Sequence, residues 1–219
     1  MYFEIRAAHI IFAINKSQSM IFKRKIYDEL LRWKRTDEGR TAVLIQGARR
    51  VGKSTVAEEF ATNEYDTHIL VDFAACSSEI RDLFNDVSDL NRIFMRLQLE
   101  YGIELKERKS AIIFDEVQLA PKARQAIKYL VKDGRYDYIE TGSLISIRKN
   151  VKDILIPSEE VKVHMFPMDY EEFKWALGDT ATIKLLQSCF HNRTSLGDAT
   201  NRKLMRDFRL YMLIGGMPQ

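Results

Sequence analysis

One octapeptide, Gly47-Ala48-Arg49-Arg50-Val51-Gly52-Lys53-Ser54, constrains this chain more than any other feature. It fits G-x-x-x-x-G-K-[ST], and its neighbours fit the architecture that pattern requires. The apolar run Ala42-Val43-Leu44-Ile45 lies just upstream, and the helix-forming Thr55-Val56-Ala57-Glu58-Glu59-Phe60-Ala61 lies downstream. A strand must deliver the loop, and a helix must begin where the loop ends. Successive backbone N–H groups from Gly47 to Ser54, continued by Thr55 in the first helical turn, then wrap a polyphosphate. Gly47 and Gly52 permit backbone angles and a closeness of approach that a Cβ would block. Lys53 brings a point charge to the β- and γ-phosphates, and is expected to face solvent until phosphate arrives. The Ser54 hydroxyl is a natural Mg²⁺ ligand. Arg49 and Arg50 sit at the loop tip, where phosphate contact and solvent screening are both open to them. Neither is assigned a catalytic role.

A second signal lies in Ser110-Ala111-Ile112-Ile113-Phe114-Asp115-Glu116. Four apolar residues ending in acid read as a buried parallel strand, with Asp115 holding Mg²⁺ through its water shell. Glu116 discriminates further. A carboxylate beside the γ-phosphate orients and deprotonates an attacking water, which means hydrolysis. The pair of signals predicts an ATPase using ATP and Mg²⁺. Two rivals keep the loop but change the outcome. A small-molecule kinase would pass the phosphoryl group to an acceptor, and a binding module would hold ATP with little turnover.

Composition agrees with a soluble globular chain. Of 219 residues, 46% are hydrophobic and 30% charged, enough apolar material for a sizeable core. The net charge of +3 favours neither nucleic acid nor its absence. Residues 16–53 carry a basic excess, which leaves a solvated helix face and a nucleic-acid patch both open. Cys76 and Cys189 lack metal or disulfide spacing, and the four histidines are scattered, so a reducing cytoplasm is expected. The apolar stretch Ala7-Ala8-His9-Ile10-Ile11-Phe12-Ala13-Ile14 is too short to span a bilayer. Residues 1–19 read as an extension ahead of Met20, where a helix carrying Ile26, Leu30 and Trp33 at i, i+4 and i+7 begins.

The remainder alternates strand and helix. Strands are expected at 68–72, 136–141 and 161–166. Helices are expected at 83–101, 121–132, 180–190 and 198–214, with Gly102, Gly134 and Gly215 as stops. This spacing predicts an α/β fold with a parallel sheet covered on both faces. Residues 20–175 form the core in this reading, and 176–219 a helical appendage. The last helix carries Leu204, Phe208 and Tyr211 at i, i+4 and i+7, widened by Met205, Met212 and Leu213. That stripe exceeds what an appendage buries, so an exposed patch of several hundred Å² is expected, inviting self-association or a protein partner. Changing Phe208 and Tyr211 together to Ser is expected to improve solution behaviour.

Five motifs in order carry a family resemblance: Arg49-Arg50-Val51-Gly52-Lys53-Ser54, Asp115-Glu116-Val117-Gln118, Thr141-Gly142-Ser143, Pro167-Met168-Asp169-Tyr170-Glu171-Glu172-Phe173, and Gly215-Gly216-Met217-Pro218. The chain resembles the prokaryotic AAA-like ATPases, which pair the ATPase module with a C-terminal restriction-endonuclease-like domain. The resemblance implies a P-loop NTPase core whose sensor strand lies between the P-loop and Walker B strands. It also implies that Thr141 or Ser143 reads the γ-phosphate. Pro157-Ser158-Glu159-Glu160 stands where many members carry Gly-Arg, so Arg148 or a neighbouring subunit would have to supply an arginine finger. The family continues past Gly-Gly-x-Pro whereas this chain ends at Gln219, which implies that the further domain is missing.

Overall fold

The computed structural model describes residues 22–143 and 158–218. The expectations for residues 1–19 and for Arg148 fall outside them. Element order is α1 (Ile26–Asp37), β1 (Ala42–Gly47), α2 (Lys53–Glu64), β2 (Thr67–Asp72), α3 (Ser78–Asp82), α4 (Leu90–Tyr101), β3 (Ser110–Asp115), α5 (Pro121–Asp133), β4 (Asp137–Ser143), β5 (Glu160–Met165), α6 (Tyr170–Ala176), α7 (Thr182–His191) and α8 (Asp198–Ile214). The five strands form one sheet in the order β2-β3-β4-β1-β5, and every pairing is parallel. β4 thus lies between the P-loop strand and the Walker B strand, as the resemblance implied.

Strands β1, β3 and β4 are buried at every position, which is why β1 and β3 read as apolar runs rather than alternating ones. Each face of the sheet has its own core. On one face Leu44, Ile112, Phe114 and Tyr138 meet Ile93, Phe94 and Leu97 of α4 and Ala123, Ile127 and Leu130 of α5. On the other, Val43, Ile45, Ile113 and Ile139 meet Leu30 and Trp33 of α1 and Val56, Ala57 and Phe60 of α2.

Three boundaries differ from the sequence reading, each for a local reason. The single helix expected over 83–101 is broken. A short 3-10 turn at Leu83–Asn85 follows α3, and α4 starts anew where the Asp89 side chain accepts from Arg92 N. Asp86 folds its carboxylate onto Ser88 N at 2.9 Å, a local bond that competes with helix continuation. The strand expected to stop before Gly142-Ser143 runs through both residues, because they pair with Gln46 and Gly47 of β1. Helix α1 begins at Ile26 rather than near Met20, since Lys25 N donates to Glu172 Oε1 at 2.7 Å instead of entering a helix. The stops at Gly102, Gly134 and Gly215 are all present, each with a positive φ. Among the described residues no helix is long and apolar enough to cross a membrane.

Candidate functional site

The parallel sheet brings the C-terminal ends of β1, β3 and β4 side by side, where an open α/β sheet presents its ligand crevice. β1 ends at Gly47, level with Ser143 of β4. Phe114 pairs with Glu140, so Asp115 and Thr141 fall next to each other one residue on. The loop 48–52 then crosses to α2, which starts at Lys53.

Two glycines of this loop are constrained in different ways. A Cβ on Gly47 would lie 2.2 Å from the backbone oxygen of Met165, so β5 itself enforces this glycine. Gly52 has φ of 94°, a region that side chains rarely adopt. Arg50 takes φ of 64°, and Glu116 φ of 53°, so two non-glycine residues flanking the crevice are held in left-handed backbone. Ala48, Arg49 and Arg50 are exposed and Val51 is fully buried.

Lys53 corrects the sequence reading. It is only 5% exposed, and its Nζ donates to Ala48 O at 2.9 Å, closing back across its own loop. Burial lowers the affinity of this ammonium for its proton, while the charges of Glu116 and Asp115 oppose that effect. The lysine is therefore already enclosed before any phosphate arrives. It is not a free surface charge.

Three oxygens converge beside it. Ser54 Oγ donates to Asp115 Oδ1 at 2.6 Å, and Thr141 Oγ1 donates to the same oxygen. Glu116 N donates to Thr141 Oγ1 at 3.3 Å, and Gln118 Nε2 donates to the Glu116 carboxylate. The structure thus brings Ser54, Asp115, Glu116 and Thr141 into one network. Ser143, the other sensor candidate, is buried at the end of β4 opposite Gly47. A carboxylate and a hydroxyl are hard oxygen donors of the kind Mg²⁺ takes, and Mg²⁺ commonly completes its shell with substrate phosphates and water. Among the described residues no group of three or more His, Cys, Asp or Glu could hold a metal by itself.

Sequence reasoning missed the support behind the loop. Arg24 sits in the run Lys23-Arg24-Lys25, which reads as solvated charge, yet it is 5% exposed. Glu172 was quoted within a motif but given no role. Its carboxylate caps α6 by accepting from Asp169 N and also faces Arg24 Nε at 3.2 Å. Gln46 Nε2 and His164 Nε2 lie 2.8 Å apart across the β1–β5 pair, so this histidine is part of the strand ends.

Structural resemblance is broad and distant. The Walker-type ATPase of Pyrococcus abyssi aligns at 18% identity and TM-score 0.48, over 90% of this chain and 65% of its own. The ORC1 protein of Aeropyrum pernix, solved in complex with DNA, aligns at 15% identity and TM-score 0.44, over 77% and 51%. The RuvB Holliday junction branch migration motor of Thermotoga maritima aligns at 12% and 0.43, over 74% and 52%. The chain therefore spans between about half and just under two thirds of the length of these solved chains. No curated protein matches its sequence. The sequence of residues 39–174 matches the family described as AAA domain, a span that runs from just before β1 into α6 and covers the whole sheet. With the P-loop, the acidic end of β3 and the intervening β4 all inside that span, the chain belongs to the family of AAA domains.

Proposed function

We propose that this chain binds ATP with Mg²⁺, hydrolyses it, and works as a nucleotide-dependent switch. The observation that carries this reading is the single network joining Ser54, Asp115, Thr141 and Glu116 beside the enclosed Lys53. Membership of the AAA-domain family supports nucleotide binding and hydrolysis in general terms.

In this reading the backbone from Gly47 through Thr55 holds the phosphates, with Ala48, Arg49, Arg50 and Val51 lining the turn. Lys53 exchanges its bond to Ala48 O for the phosphate oxygens. Ser54 and Asp115 would hold Mg²⁺, which would neutralise charge on the triphosphate. Glu116 accepts the proton of the attacking water, and Thr141 senses the γ-phosphate through Asp115. Ser143 is the more remote sensor candidate. The appendage, residues 176–219, carries the switch outward to a partner or a second copy, and the cytoplasm is the compartment in which we place it.

Phosphate release measured in Mg²⁺ with no acceptor present tests the reading. Release by the wild type that disappears in Glu116→Gln supports hydrolysis. Release that requires an added hydroxyl acceptor would mean a kinase instead. Tight binding with no release above the Glu116→Gln level would mean a binding module, an outcome in keeping with the Gln118 bond that holds the Glu116 carboxylate.

A further inference from the structure

A buried arginine outside the P-loop signature grips the loop from behind. Arg24 Nη1 donates to Val51 O at 2.7 Å, Nη2 donates to Phe166 O at 2.6 Å, and Nε faces Glu172 Oε1 at 3.2 Å. The side chains of Arg24 and Glu172 are 4% and 7% exposed. Three segments far apart in sequence meet on one guanidinium: the stretch before α1, the P-loop, and the turn from β5 into α6. Removing an arginine and a glutamate from water is costly unless their polar atoms are matched; here the two Nη groups donate to carbonyls, and Nε faces the Glu172 carboxylate as an ion pair without a hydrogen bond.

The choice of carbonyl gives the contact its meaning. Val51 C=O and Gly52 N–H belong to one planar peptide group, and in a trans peptide they point in opposite directions. No peptide bond among the described residues is cis. Fixing Val51 O therefore aims Gly52 N–H to the other side, away from Arg24. Gly52, at φ of 94°, has no side chain to resist rotation of that peptide. A P-loop works only when its N–H groups converge on the phosphate. We propose that Arg24 is a positioning residue of the phosphate cradle, locking the Val51–Gly52 peptide against a flip, with Glu172 as the acid that fixes Arg24 in place. This rests on the reading that the loop binds polyphosphate.

The turn that carries Phe166 is also tied to the C-terminal segment. Met168 N donates to Gly216 O at 2.7 Å, and a Cβ on Gly216 would lie 2.1 Å from Met168 O, so this strap is also tight. Pro218 reaches back to the loop, within 3.7 Å of where a Gly52 Cβ would stand.

The test is calorimetric titration of the full chain with pyrophosphate, alongside the Gly52 amide resonance and thermal melting. Arg24→Lys keeps the buried charge but cannot fork to both carbonyls. It should lose about 10- to 100-fold in pyrophosphate affinity and shift the Gly52 amide. Glu172→Gln should lose less, because the guanidinium stays but is held by one fewer charge. Phe173→Leu disturbs the packing of α6 without touching the guanidinium; it should lower the melting temperature and leave both affinity and amide unchanged. If Arg24→Gln fails to fold, Arg24→Lys decides. Wild-type pyrophosphate affinity in Arg24→Lys, with binding lost in Lys53→Ala, overturns the positioning role alone. Wild-type affinity in Lys53→Ala as well overturns the P-loop reading, and the proposal with it.

Discussion

The sheet and the two C-terminal helices are built on opposite terms. Strands β1, β3 and β4 bury every residue they contain, whereas α7 and α8 have no buried residue between them. In the sheet, position is set by registers and by two cores, one on each face. On α8 it is set by a few side contacts. Phe208 and Tyr211 pack against Tyr170, and Tyr211 also against Phe173. Lys174 pairs with Asp207 at 3.0 Å and with Asp179 at 2.9 Å, and Tyr211 OH donates to Met168 O at 2.9 Å. Under the function we propose, the tightly packed part carries the chemistry, and the lightly attached part reports on it. Changes in the sheet edge should therefore alter ligand binding and turnover, while changes on the outer face of α8 should alter neither.

Lys53→Ala should produce the largest effect. Nucleotide binding should fall at least about 100-fold, the scale of losing a charged partner from a phosphate. Because Lys53 is buried and serves Ala48 O, the variant should also melt somewhat lower, by about 1 kcal/mol of stability. Titration with ATP in Mg²⁺, with a melt of each apo protein, measures both. Unchanged ATP affinity would remove the sheet edge from one side of the comparison.

Within the sheet edge the two carboxylates should separate. Glu116→Gln keeps shape and hydrogen bonding but cannot take a proton, so hydrolysis should fall roughly 10²–10⁴-fold with binding retained. Asp115→Asn alters the oxygen that receives both Ser54 and Thr141, so Mg²⁺-dependent binding should weaken along with turnover. Identical behaviour of the two variants in binding and phosphate release would erase the division of labour between them.

A smaller effect comes from within the same strands. Glu140 of β4 is fully buried beside Glu160, and Glu160 is held by Arg124 through 3.0 and 3.1 Å bonds. Burial, then the Glu160 charge, raise the Glu140 carboxyl well above its ordinary value, with Arg124 opposing. Unfolded, this acid ionises near its ordinary value; folded, it keeps its proton to higher pH. Between those two points the unfolded chain binds fewer protons, so stability should fall as pH rises, by at most about 1.4 kcal/mol per unit. Glu140→Gln removes the titration and should flatten that slope across pH 5–8. Denaturant melts of both proteins over that range would show it, and equal slopes would mean Glu140 does not carry the proton.

The division between the two regions also explains what the sequence showed. β1 and β3 were legible because strands buried on both faces need unbroken apolar runs. The P-loop was legible because its chemistry requires glycine, lysine and hydroxyl at fixed spacing. Arg24 was not, since a basic run looks the same whether it is solvated or, as here, forked onto two carbonyls. Lys53 was misread for a related reason: motif position says what the ammonium does, not how deeply the loop encloses it. The break before α4 depended on Asp86 and Asp89 bonding locally, which the apolar spacing over 83–101 conceals. Glu140 was hidden by its strand, where an acid in the mixed run Asp137–Ser143 gives no sign of the arginine waiting on α5.

The outer face of α8 should give the smallest effect on the site, and here the two residues chosen from the sequence have a double position: Phe208 is exposed, yet both it and Tyr211 also pack. Phe208 and Tyr211 lie in the aromatic cluster that fastens α8 to α6, so changing both to Ser should loosen the helix rather than improve solution behaviour. The most uncovered residues are Met212, Leu213 and Ile214, with Leu213 85% exposed, while Met205 and Phe208 are exposed to a lesser degree. Exposed apolar side chains add little to folding when changed, typically within about 0.5 kcal/mol, but a contiguous set favours association. Met212→Ser with Leu213→Ser should therefore leave melting and ATP affinity as they are while lowering the apparent mass at high protein concentration. Phe208→Ser with Tyr211→Ser should instead expose α8 to protease and lower the melting temperature. Sedimentation and limited proteolysis of both double variants distinguish the faces. If the Met212 and Leu213 changes weakened ATP binding, the outer face would be coupled to the sheet edge, and the line drawn between the two regions would have to move.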